Sequence, residues 1–433
     1  MPVQGLQVGT GLRDVTPPPG LAMSGGLRPR KNQSGASDPL LFKALALRSG
    51  TVTAAIVSAD LIALTRDVIE GGLRLARERS GIEPGCVIVA CSHTHSGPYP
   101  CSCFGSEEDI ERSWVATLPG KLAEALAEAV SSLRPARAFR ARSPGVVLGH
   151  HRRVLLKSGK ALNTWHTPPA GEQVVGPCGP IDPELMVLRF DGEDGKPLAL
   201  LTNYALHVNL KWGEQYSADY PGVMAKVFRE QFGAGCFHVF TPGACANING
   251  LRRWDETGQA LAAAAVEALR KAEPLGDAPV LDCAAREVAV PLRYFSRPQT
   301  EEIERLCGAG GWQGEGDVFF REHEALRAAG EKAVTTWVRA IRLGNWALAT
   351  SPGECFVEWG LKIKRESPFP WTYVASLAND YVGYLITEDC WRQGAYEALN
   401  ARSAKVSWQG AALLAETAVE LTRELWRRGG DGK

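Results

Sequence analysis

The sequence predicts an α/β fold with mixed, partly parallel sheets flanked by helices. Two patterns support that expectation. Short runs rich in Val, Ile and Ala, of strand length, alternate with segments of helical apolar periodicity. Over residues 51–91 the order is strand, helix, strand, and a crossover of that length requires the two strands to pair in parallel.

Residues 51–64 read as a buried strand, and residues 65–79 as a helix that Thr65 could cap, with Val68, Leu73 and Leu75 on its apolar face. Residues 86–91 are a second short apolar strand. The same order returns later. Strands at 188–190 and 198–205 surround the turn 191–195, and a helix over 221–232 leads into a strand at 236–241. Two amphipathic helices are expected between Thr300 and Lys332. Residues 336–343 and 346–350 form a hairpin across Gly344-Asn345, and 371–377 is one more strand. The helix 411–428 carries Leu414, Ala418, Leu421 and Leu425 on one face.

The 433 residues are 45% hydrophobic and 22% charged, which is ordinary for a folded chain and too apolar for disorder. Lys+Arg and Asp+Glu both number 48, so no basic excess points to nucleic acid or an anionic membrane as partner. No run of about 18 apolar residues spans a bilayer, and the first residues lack the charged-then-apolar layout of a secretory signal. The 11 cysteines are scattered with no C-x-x-C pair, which fits a reducing compartment and leads to the expectation of a cytoplasmic protein.

The chemistry concentrates where predicted strands end. Cys91-Ser92-His93-Thr94-His95-Ser96-Gly97-Pro98 follows the strand 86–91, and ligands of parallel sheets bind beyond carboxyl ends. His-x-His on an extended segment sends both imidazoles to one side, suiting a metal, or one ligand beside one acid/base; two polar loop histidines are the plainer alternative. His207 ends the next strand, where a hydrogen-bonded core histidine is the plain reading. Ser351-Pro352-Gly353-Glu354 and the stretch from Asn379 to Tyr384 leave two more strands in the same way. The small-residue segment from Thr241 to Gly250 contains Gly243, Asn247 and Asn249. It suits close backbone approach to a ligand that asparagines orient, or a tight turn. Trp165 and Trp212 are candidates to line a pocket. Cys101-Ser102-Cys103 lies just past the histidine motif, and His238 and His323 read as structural.

These segments, together with Gly9 to Gly20 (GTGLRDVTPPPG) and the stretch from Tyr381 to Tyr396, resemble the catalytic domain of the neutral (alkaline, non-lysosomal) ceramidase family of zinc-dependent amidohydrolases. The resemblance implies one zinc held by His93, His207, Glu354 and Tyr384, with His95 beside the metal. It also implies roles for Tyr396, twelve residues beyond Tyr384, and for Arg152 in His150-His151-Arg152-Arg153. Two neutral imidazoles and a carboxylate leave catalytic zinc an open position for water. Arg152 or Tyr396 would then stabilise an oxyanion, and His95, or alternatively a carboxylate, would handle the leaving-group proton. Asn249 stands where the family has a catalytic serine, so it could bind an amide or oxyanion but not attack as a hydroxyl. Gly243 and Asn247 are expected at the substrate.

The resulting expectation is a single ceramidase-like catalytic domain over residues 1–433, without the family's C-terminal β-sandwich. It would cleave the amide of a small or amphipathic substrate with zinc-activated water, with no nucleic-acid partner and an open oligomeric state. A zinc esterase or lactonase and a noncatalytic metal-binding homologue are the alternatives. Length suggests about three domains, but candidate ligands running from His93 to Tyr384 imply one catalytic body.

Overall fold

The computed structural model describes residues 3–103, 107–293 and 316–429, and builds them around two β-sheets packed face to face between helical layers. The larger, nine-stranded sheet contains β1 (Val3–Asp14), β2 (Leu41–Gly50), β3 (Val52–Ala59), β4 (Val87–Cys91), β5 (Arg134–Ser143), β6 (Leu185–Gly192), β7 (Pro197–Tyr204) and β8 (Phe237–Pro242). Their order is β8-β7-β6-β5-β1-β2-β3-β4, with the two-residue strand Glu273–Pro274 attached to β5. The second sheet is β9 (Leu281–Pro291), β10 (Ala333–Leu343), β11 (Trp346–Thr350) and β12 (Trp371–Ala375), in that order. The pairs β3–β4, β7–β8 and β11–β12 are parallel, and the other pairings within these two sheets are antiparallel.

The period-2 alternation of strand side chains divides the core between these layers. Ala44, Ala46, Ala55, Val57, Val87 and Val89 face the helices α1 (Arg66–Ser80) and α2 (Leu118–Ser131). Their neighbours Leu45, Leu47, Ile56 and Ile88 point the other way, against Ile341, Leu343, Trp346, Leu348 and Tyr373 of the second sheet. Both faces are dry, so these strands read as continuous apolar runs, and each fully buried Leu or Ile contributes about 1.5–3 kcal/mol. At the other end of the large sheet, Val187, Leu200 and Phe240 meet α3 (Asp219–Phe232) and α4 (Trp254–Leu269). The outer face of the second sheet is covered by α5 (Val357–Glu366) and α6 (Trp408–Arg428), with Leu414, Ala418, Leu421 and Leu425 turned inward.

The mixed sheets and flanking helices agree with the sequence expectation. Strand 51–64 stops at Ala59, because the chain bends at Asp60 and Leu61 N–H turns back onto Ala59 O at 2.8 Å. Thr65 precedes α1, but its side chain makes no cap bond to a helix N–H. Of the two helices expected between Thr300 and Lys332, one is Gly316–Ala329 and the other lies outside the described residues. No helix among the described residues is long and apolar enough to cross a membrane.

Candidate metal centre and substrate cavity

The carboxyl ends of β4, β7, β8, β11 and β12 converge. Hydrogen bonds tie the two sheets together there: Cys91 N–H to Leu377 O at 3.0 Å, and Asn379 N–H to Val89 O at 2.8 Å. Beyond β4 the chain is held by Ser92 N–H to Ala59 O (2.7 Å), His93 N–H to Leu61 O (3.0 Å) and His95 N–H to Val208 O (3.1 Å). His93 has φ +70°, a left-handed conformation that costs an imidazole-bearing residue about 1–3 kcal/mol. The expectation that both histidines converge holds, but this local turn aims the rings where an extended segment was expected.

His93, His95 and His207 form a buried triangle with ring centroids 4.6–4.9 Å apart, and one ligand nitrogen from each lies within 4.8 Å of the others. His93 Nδ1 donates to Ile62 O at 2.7 Å and His207 Nδ1 meets Cys245 O at 3.4 Å, which leaves both Nε2 lone pairs for the centre. The Nε2 atoms of His95 and His207 are 3.1 Å apart. Burial, reinforced by the charges of His93 and Arg152, holds both His95 and His207 well below the ordinary histidine range. Both rings are therefore neutral at pH 7, the state a metal requires.

Glu354 completes the set. It is buried, with Oε2 3.5 Å from His93 Nε2 and no hydrogen-bond partner, while Oε1 accepts from Tyr381 Oη at 2.8 Å. Burial would raise this carboxyl, but His93, Arg152 and Tyr381 hold it below its usual range, so it is ionised. A buried carboxylate oxygen without a donor beside three clustered imidazoles is a donor set that fits a divalent metal such as zinc.

Tyr384 reaches the site through a two-residue parallel ladder in which Glu354 pairs with Tyr384. Its hydroxyl accepts from Arg152 Nη2 at 3.0 Å, and burial together with Glu354 keeps the phenol protonated, well above its ordinary value. Arg152 is buried and donates through Nε to Glu397 Oε1 at 2.8 Å; Asn163 Nδ2 donates to the same carboxylate at 3.1 Å. The Tyr396 ring lies edge-on to Tyr384 at 5.9 Å.

Above these groups opens a cavity of about 490 Å³. His95, Arg152, Tyr384, Tyr396, Asn209 and Asn249 form its polar lining, and Trp165 and Trp212 stand in its wall, 42% and 54% exposed. Asn249 arrives on the short strand Ile248–Gly250, which pairs with Gly149–His151, so one ladder positions both Asn249 and the neighbouring Arg152. Asn249 Oδ1 is buried and meets no donor.

Gly243 and Asn247, expected at the substrate, are not among the residues lining this cavity. Gly243 packs against Ala205, where a Cβ would come within 3.0 Å, and its carbonyl accepts from Ser376 Oγ at 2.6 Å. Asn247 spends its amide on His151 Nε2 (3.0 Å), Glu358 Oε2 (2.8 Å) and the N–H of Val357 at the start of α5 (2.9 Å). Their place in the fold is structural. Sequence reasoning missed Tyr381, Asn209 and Glu397; the last two are signalled only by adjacency, to Val208 beyond His207 and to Tyr396.

No family model matches this sequence, and no curated protein matches it. Among solved structures it is similar to the neutral ceramidase of Pseudomonas aeruginosa, with 17% identity, 98% of this chain and 75% of that chain covered, and a TM-score of 0.73. A ceramidase complexed with C2 matches at 16% identity, covering 98% and 76%, with a TM-score of 0.74. At this identity the likeness establishes the fold: the chain is folded as neutral ceramidase is.

Proposed function

We propose that this chain, built on the neutral ceramidase fold, is a zinc-dependent amidohydrolase acting on a small, hydrophilic or modestly amphipathic amide. The observation that carries the reading is the meeting of His93, His95, His207 and the donorless Glu354 Oε2 next to a cavity of about 490 Å³ that His95 lines. His93, His207, Glu354 and Tyr384 would hold the metal, with His95 beside it at the cavity side. Zinc bound there would supply Lewis acidity toward a carbonyl oxygen and acidify water at neutral pH.

The residues of the chain supply the rest. Arg152, its charge held in place by Glu397, and the protonated Tyr384 Oη face the region where negative charge develops on the carbonyl oxygen. His95 is the histidine that both belongs to the triangle and lines the cavity. Its neutral imidazole can take a proton from water and return it to the leaving amine. Asn209 and Asn249 offer carboxamides to polar groups flanking the scissile bond, and the half-exposed Trp165 and Trp212 provide a place for one apolar group. The cavity volume falls in the range of small-molecule sites, and a lipid with two long chains would leave most of its surface outside.

The test pairs metal content with turnover. The purified protein should carry about one zinc per chain, and His207→Ala should lose it. A panel of matched amides and esters, from hydrophilic N-acyl compounds to N-acylsphingosine, should show amide cleavage that is fastest for the hydrophilic members. Full zinc in His207→Ala would overturn the ligand set, and turnover of esters alone would overturn the amidase.

A further inference from the structure

We propose that Cys101 and Cys103 form a dithiol site that reacts with hydroperoxides, and that closing its disulfide loosens the metal centre through Tyr381 and Ile62. The two Sγ atoms are 3.5 Å apart, both side chains are buried, and both thiols are free. They belong to a small apolar cluster of Ile62, Ala63, Tyr99, Cys101 and Cys103, against which Tyr381 packs. Two members of that group touch the candidate metal donors directly. The Ile62 carbonyl accepts from His93 Nδ1 at 2.7 Å, and Tyr381 Oη donates to Glu354 Oε1 at 2.8 Å.

Access comes from a second cavity of about 570 Å³, lined by Cys101, Tyr381, Thr65, Arg112 and Lys405 among others. Cys103 is not among its lining residues. Cys103 lies behind Cys101, its Sγ 3.5 Å from Cys101 Sγ. Cys101, the one of the two that faces the cavity, is the attacking sulfur, and Cys103 is the resolving one.

The steps balance with a hydroperoxide as the oxidant. Cys101 Sγ attacks the O–O bond, its proton leaves with the alcohol ROH, and Cys101 becomes a sulfenic acid. Cys103 Sγ then attacks that sulfur and expels water. Two thiols and ROOH give one disulfide, ROH and H2O. The sulfurs must close from 3.5 Å to about 2.05 Å, so the backbone around them moves, and the packing on Tyr381 and Ile62 moves with it. The bridge itself does not depend on the proposed amidase activity; its effect on the centre rests on the metal reading.

The experiment treats the reduced, zinc-loaded full chain with hydrogen peroxide and maps its thiols by mass spectrometry. The tryptic peptide 80–112 should lose two hydrogens, and fragmentation should place the bridge between Cys101 and Cys103. In Cys103→Ser the sulfenic acid on Cys101 should be trapped by a cyclic 1,3-dione, and in Cys101→Ala neither product should form. Both cysteines remaining open to alkylation after peroxide, or a bridge mapping to Cys86 or Cys91, would overturn the site. Zinc affinity of the bridged protein should be about 10-fold weaker and recover with a dithiol reductant. Unchanged affinity in a protein with a mapped bridge would overturn the coupling while leaving the amidase reading intact.

Discussion

Glu354 and Tyr384 are direct partners in a parallel ladder only two residues long, and this pairing places a carboxylate and a phenol side by side at the candidate metal centre. The ladder is possible because glycines precede both residues. Gly383 has φ +88°, and a Cβ on Gly353 would run into the Gly383 carbonyl oxygen. Glu354 N–H donates to that same oxygen at 3.0 Å.

Gly353→Ala should therefore push the two segments apart. The expected cost is about 1–3 kcal/mol from overpacking, read by urea denaturation, together with loss of zinc from the purified protein. Wild-type stability and metal content would show that the close approach is dispensable.

Arg152 and Glu397 are both buried and bonded at 2.8 Å, so removing one partner strands the other's charge. Glu397→Ala should destabilise by about 3–5 kcal/mol. The double variant Glu397→Ala/Arg152→Met should recover much of that loss but not activity, since Arg152 faces the reacting carbonyl in the proposed chemistry. A double variant no more stable than Glu397→Ala would assign the stability to Asn163 and the other contacts.

Burial is the first cause holding His95, His207 and His238 well below the ordinary histidine value. In the unfolded chain these groups titrate near about 6.5, so below that pH the unfolded state binds more protons. The metal-free protein should thus hold its full stability above about pH 7 and lose it as pH falls through about 6.5. Glu354 and Glu397, held below their usual range against the effect of burial, add loss of the same sign at more acid pH. Melting temperatures measured from about pH 8 down to about 5 check this; a flat profile would contradict it. His238 lies outside the candidate metal centre, bonded through Nε2 to Thr202 Oγ1 at 2.8 Å, so His238→Gln should flatten the curve without altering zinc content.

Asn249→Ala removes a buried carbonyl oxygen that has no donor. Stability should be unchanged or slightly raised, while turnover of hydrophilic amides falls about 10–100-fold if the carboxamide contacts substrate. Unaltered kinetics would remove Asn249 from the substrate contacts.

Much of this was legible in the chain. Continuous apolar runs such as Val87–Cys91 marked strands buried on both faces, and the position of histidines, a glutamate and a tyrosine just beyond strand ends marked the candidate site. Strand β5 escaped notice because its Arg-Pro-Ala-Arg pattern carries charges along a partly solvated strand, and α4 because Ala-rich helices have a weak apolar stripe. The sequence by itself determined residue chemistry and local period, since both are set by neighbours along the chain. Which carbonyl fixes His93, which strand partners Glu354, which carboxylate holds Arg152 and whether Asn247 meets ligand or helix were decided only by tertiary structure. Those relations depend on register and on sheet-to-sheet packing, which join residues far apart in sequence and leave no periodic trace in it.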